Sequence, residues 1–228
     1  MPRLLVHVEG QTEEAFVKEI LRNHLVSKGY HSVEPRIVGN ARLRSRRGGI
    51  HAWTSVRKEI IHRLLEDTGC IATTMVDYYG LPHGKGAWPG RSESSRLPSA
   101  EKGPYVERAL AADFAETVGD RIRGERFVPF VVMHEFEGLL FSDCRAFARG
   151  IERPPIEKDL KWVRDQFATP EDINDSPDTA PSKRVQELVP GYEKPLFGVL
   201  AALEIGLVKI RDECPHFNRW LQRLESLV

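Results

Sequence analysis

The chain alternates short apolar runs with stretches in which apolar residues recur at helical spacing. Residues 4–8 (LLVHV) form a continuous apolar run, and Ala15, Phe16, Ile20, Leu21 and Leu25 then follow at helical intervals until Gly29. That is strand, turn, helix. Residues 33–38 predict a second strand. Residues 54–67, with Val56, Ile60, Ile61, Leu64 and Leu65 on one face, predict a second helix that stops at Gly69. Residues 70–76 (CIATTMV) are β-branched and uncharged, as a strand buried on both faces requires. Helical spacing returns over 109–118, and RFVPFVVM (126–133) predicts a fourth strand, in which Pro129 implies an edge position or a bulge. Strands separated by helices predict an α/β fold: a mostly parallel sheet of about four strands in order 2-1-3-4, flanked by helices.

Two segments depart from this alternation. Residues 81–104 are rich in Gly, Pro, Ser and charge and predict a long excursion over the rim of the sheet. Residues 145–228 predict a helical carboxy-terminal extension, apart from the loop ATPEDINDSPDTAPSK, packed on the 1–144 α/β domain rather than standing apart.

Composition narrows the classes. With 228 residues, 41% hydrophobic and 29% charged, the chain is long and apolar enough to bury a full core, which excludes a disordered protein. Lys+Arg and Asp+Glu both number 33, so net charge favours no polyanionic partner, and recognition must come from local patches. The clearest spans 36–63: Arg36, Arg42, Arg44, Arg46, Arg47, Arg57, Lys58 and Arg63 face only Glu59. It suits a phosphate backbone, and equally a solvated loop and helix face. Cys70, Cys144 and Cys214 are odd in number and lack metal-ligand spacing, as expected of reduced cytosolic thiols. The amino terminus carries no signal or spanning pattern, so the expectation is a cytoplasmic protein without membrane contact.

The candidate chemistry is acidic. VEGQTEE places Glu9 at the exit of the first strand and Glu13 one turn into the helix; Asp77 ends the third strand; Glu135 and Glu137 leave the fourth in MHEFEG. In an open parallel sheet these positions share the carboxyl-end rim, where chemistry collects. Crowded carboxylates repel, and a hard divalent cation, Mg2+ or Mn2+, would relieve the repulsion. Singly, each acid has an ordinary explanation: Glu13 and Glu14 as dipole-favoured residues after a Thr12 cap, Asp77 as a turn former, Glu135 or Glu137 as solvated groups. Lys183 and Arg184 in PSKR are candidates for a positive group beside a phosphate, or simple helix-end residues. His134 beside the acids, and Cys214 and His216 in CPHF, are read as structural.

LLVHVEGQTEEAF, MVDYYG and MHEFEGLLFSD together resemble a Toprim-type fold, with a layout similar to the nuclease domains of overcoming-lysogenization-defect proteins. The sequence also resembles an uncharacterised bacterial group, domain of unknown function 4276, which the PSKR and CPHF stretches fit as well. The Toprim resemblance covers roughly residues 3–143. It implies that Glu9 and Asp77 hold divalent metal for phosphodiester cleavage, with Glu13, Glu135 and Glu137 as further acids. The sequence departs from the Toprim Asp-x-Asp at Tyr79, which opens the metal count to one or two. The implied function is a metal-dependent nuclease on nucleic acid, DNA before RNA, working beside a separately encoded ATPase in bacterial defence against phage or plasmids. Two alternatives stay open: a non-catalytic nucleic-acid-binding or regulatory module with a degenerate site, and a metal-dependent phosphatase.

Overall fold

In the computed structural model, which describes residues 1–38, 50–84, 86–173 and 179–228, the predicted alternation is realised. β1 (Arg3–Val8) leads into α1 (Gln11–Phe16), which continues through a π turn at Val17–Leu21 into α2 (Arg22–Lys28). β2 (Ser32–Ile37), α3 (Trp53–Glu66) and β3 (Cys70–Asp77) follow. β1 pairs in parallel with both β2 and β3. The sheet order is β2-β1-β3-β4, as the right-handed crossover argument requires. Pro35 lies in β2, at the sheet edge, where its missing N–H costs no ladder bond.

The fourth predicted strand is split. β4 (Phe127–Val128) pairs with Ala72–Thr73 and β5 (Val131–Val132) with Val76–Asp77, with Pro129 and Phe130 between them. Thr74 closes this break: its hydroxyl accepts the Phe130 N–H at 2.9 Å and donates to the Phe130 carbonyl at 2.8 Å. A β-branched side chain thereby replaces a backbone partner that the proline bulge displaces.

The excursion after β3 is shorter than its composition predicts, because α4 (Ser99–Val118) begins before Pro104 and carries that proline inside it. Gly103 explains the choice. A Cβ there would lie 2.6 Å from Met133 Sδ, so only glycine lets α4 run this close to the segment after β5. Helical spacing starting at Ala109 concealed nearly three turns, residues 99–108.

The remaining chain is helical: α5 (Glu137–Leu140), α6 (Cys144–Gly150), α7 (Glu157–Arg164), α8 (Pro181–Leu188), α9 (Lys194–Ile205), α10 (Leu207–Glu213) and α11 (Pro215–Glu225). Two apolar layers enclose the sheet. Leu4, Val6 and Val8 of β1 join Phe16, Phe147, Ala201 and Phe217 on one face; Ala72 and Val76 of β3 join Ile60, Leu110 and Phe114 on the other. All eight residues of β3 are buried, as expected of a central strand covered on both sides. Among the described residues, no helix is long and apolar enough to cross a membrane.

Candidate functional site

Parallel pairing sets β1 and β3 in register, with Val8 beside Met75, so both strands end on the same rim. Glu9 and Asp77 therefore leave the sheet as neighbours, and the Asp77 N–H donates to Glu9 Oε2 at 3.3 Å. Gly80, in the turn Tyr78–Gly80, presses on the same carboxylate: a Cβ there would lie 2.7 Å from Glu9 Oε1. Glu13 is buried and bends back so that Oε2 accepts the Gly10 N–H at 3.0 Å. The helix thus starts from Gly10, not from a Thr12 cap; Thr12 lies inside it, its methyl packed against Gly198 of α9.

The segment after β5 supplies the other acids. Glu137, in the first turn of α5, is almost fully buried, whereas Glu135 is held by the Ser182 N–H at the start of α8, 2.9 Å from Oε2. That bond is what PSKR contributes to the site. Lys183 itself is exposed and makes no ion pair among the described residues, and the cation brought to the acids is Lys194, at the start of α9. Its Nζ lies 3.3 Å from Glu137 Oε2 and 3.8 Å from Glu135 Oε1.

Among the described residues, one ammonium stands against five carboxylates. Burial pushes Glu9, Glu13 and Glu137 up to about 7, and neighbouring acids add to the rise. Asp77 is raised well above the ordinary range, by burial first and then by Glu9 and Glu13. Lys194 responds in the opposite sense: burial draws it down, but Glu137, Glu135 and Asp77 outweigh that and hold its proton more tightly. Asp77 Oδ1 and Glu137 Oε1 are buried with no hydrogen-bond partner, and so is the hydroxyl of Tyr192, which Glu137 and Glu135 also influence. Among the described residues, no group of three or more His, Cys, Asp or Glu side chains is arranged to hold a metal ion as it stands. The close convergence that a shared ion requires is absent from this arrangement, in which Lys194 supplies the countercharge. The donor chemistry fits a hard cation nonetheless, since every acid offers oxygen and two buried oxygens lack partners.

His134 holds a left-handed backbone (φ 63°) between β5 and Glu135; its Nε2 meets Ser99 Oγ at 3.0 Å and its ring tilts over Tyr79. Tyr79 is thus packed on His134. Trp53, Trp88 and Tyr78 are core residues. Of the basic patch, Arg57 is bound by Asp113 at 2.7 Å, Lys58 is exposed, and Arg42, Arg44, Arg46 and Arg47 lie outside the described residues.

Sequence reasoning missed Lys194, Tyr192 and Gly80. One signal for Lys194 was present: a lysine directly before Pro195 in the first turn of a helix opposes the helix dipole, and such a residue calls for an acidic partner elsewhere. The family model described as domain of unknown function (DUF4276) matches residues 8–225. No curated protein and no solved structure matches the chain.

Proposed function

The chain belongs to the DUF4276 family, a domain of unknown function, and from its carboxylate site we propose that it is a divalent-metal-dependent nuclease, cleaving phosphodiester bonds in nucleic acid. One observation carries this reading: Glu9, Glu13, Asp77, Glu135 and Glu137 are gathered on one rim against a single ammonium, with buried oxygens of Asp77 and Glu137 left unpartnered. Folding does not accumulate buried, mutually repelling acids without a return in binding or chemistry.

Glu9, Asp77 and Glu137 would hold Mg2+ or Mn2+ once Lys194 withdraws from Glu137. The bound ion would lower the pKa of a water and stabilise the leaving oxygen. Glu13 fixes the Gly10 backbone and with it the direction in which Glu9 leaves β1. Before the ion binds, burial holds Glu9 near 7 and partly protonated at neutral pH, so ion binding there would release a proton. Lys194, released from the acids, is long enough to donate to a phosphoryl oxygen, the role that the sequence assigned to Lys183. The resemblance to Toprim nucleases supports DNA before RNA as substrate, and a separately encoded ATPase as partner in defence against phage or plasmids.

The test is cleavage of labelled single- and double-stranded DNA and RNA with and without Mg2+ or Mn2+, with Asp77→Asn as the control. Metal-dependent cleavage by the wild type alone supports the reading, and equal cleavage by both proteins defeats it. A second reading, a non-catalytic module in which Lys194 is the permanent countercharge, is favoured by the absence of a preformed three-ligand group. It requires that Mn2+ leave the melting temperature unchanged, whereas the nuclease reading requires a rise.

A further inference from the structure

The loop between β3 and α4 buries a cation that the carboxylate site does not use. Arg91 is 5% exposed, and its guanidinium carbon lies over the Tyr78 ring, 3.9 Å from the centroid. Nε donates to the Tyr78 carbonyl at 3.0 Å and Nη1 to the Tyr78 hydroxyl at 3.1 Å; that hydroxyl is 3.0 Å from Ser94 Oγ. Tyr78 directly follows Asp77, so the guanidinium is fastened to the carboxyl end of the central strand.

Among the described residues, no carboxylate forms an ion pair with Arg91. This is unlike Arg57, Arg164 and Arg211, which are half-buried and each bound by an acid. A buried charge without a counter-ion is costly, and tyrosine oxygens return only part of that cost. The positive field is felt nearby: Arg91 is the leading cause that holds His83 below its ordinary value. Among the described residues, Nη2 makes no protein hydrogen bond, yet it is not one of the buried atoms sealed from solvent without a partner. Two of the five guanidinium N–H groups are thus used, and the remaining ones, two on Nη2 and one on Nη1, are left to donate to the oxygens of an anion such as phosphate.

We propose that Arg91, held against Tyr78, is a phosphate-binding subsite beside the carboxylate rim, taking a backbone phosphate next to the one at the acids. It deepens the nuclease reading and rests on it for the identity of the anion. The acids and the arginine divide the work: the acids face the ion, and Arg91 holds a neighbouring, unreacting phosphate in register.

The experiment measures binding of a labelled single-stranded oligonucleotide to the full chain in EDTA, over a range of salt, for wild type, Arg91→Met and Arg91→Lys. Arg91→Met should bind about tenfold more weakly. Its slope of log affinity against log salt should be shallower by about 0.7, the share of one phosphate on a single strand. Arg91→Lys keeps the charge and loses the fork, so its affinity should fall several-fold with the slope retained. Unchanged affinity and slope in Arg91→Met overturn the subsite, as does a wild type that binds no oligonucleotide. If Arg91→Met shows no cooperative melt, Arg91→Lys decides, and wild-type affinity in it overturns the proposal. Mn2+-induced stabilisation, measured separately on wild type and Asp77→Asn, is insensitive to Arg91, so failure of the metal reading is distinguished from failure of the subsite.

Discussion

Replacing Lys194 by methionine removes the cation and keeps most of the stem. At an effective dielectric near 20, opposite charges about 4 Å apart attract by roughly 4 kcal/mol, and Lys194 lies 3.3 Å from Glu137 and 3.8 Å from Glu135. Solvent reaches its side chain, which is 38% exposed, and the acids can take up protons in its absence, so the net loss is smaller. We expect about 1–3 kcal/mol at pH 8, where the carboxyls are largely ionised. The sign follows from linkage. Carboxyls raised in the folded state bind more protons there than when unfolded, so stability falls as pH rises from the ordinary value of 4.5 to beyond 7, and without Lys194 they rise further. At pH 5 Glu9, Glu13 and Glu137 are largely protonated in both proteins, so the lysine has less to neutralise. Urea unfolding at pH 5 and pH 8 should therefore show a difference between wild type and Lys194→Met that is present at pH 8 and absent or reversed at pH 5. An equal loss at both values would mean that the stem, not the charge, matters, and would refute the electrostatic account. The same substitution should strengthen Mn2+ binding by calorimetry, because it removes a positive charge from the ion's surroundings.

In the wild type, a carboxyl moved from 4.5 to about 7 costs about 3 kcal/mol of stability across that interval; unfolding free energy should thus decline between pH 5 and pH 8, and a flat profile would count against raised acids. Asp77→Asn should leave the protein as stable as wild type or more so at pH 8 by urea unfolding while abolishing cleavage, since it removes a buried charge that nothing fully neutralises. Gly80→Ala drives a Cβ into the Glu9 carboxylate; a loss of about 1–3 kcal/mol and a diminished Mn2+ shift are expected, and an undisturbed shift would show that Glu9 has room to move. Thr74→Val leaves the Phe130 N–H without its acceptor, which should cost about 1–3 kcal/mol in thermal or urea unfolding.

The strand order and the rim were legible because both follow from periodicity: apolar runs of strand length alternate with helical spacing, and parallel crossovers leave little freedom in order. Glu9 and Asp77 were legible for the same reason, as the first charges after buried strands. Lys194 was not. Its contact with Glu137 spans 57 positions and depends on where α9 docks, which local pattern does not encode. Lys183 was expected as a positive side chain beside a phosphate, and the backbone of Ser182, one residue earlier, is what touches Glu135. The start of α4 was missed because Gly103 and Pro104 read as punctuation, and the reason for the glycine, Met133 across the interface, lies thirty positions away.

The countercharge also comes late. The acids lie between residues 9 and 137, whereas Ser182, Tyr192 and Lys194 belong to the last quarter of the chain. Synthesis runs from the amino terminus, so a nascent chain presents five carboxylates before their lysine has been made. During that interval protons or solution cations must serve in its place. Lys194 takes over that role only when α9 closes over the rim, so magnesium in the medium can influence how the chain reaches its fold as well as what the folded chain does.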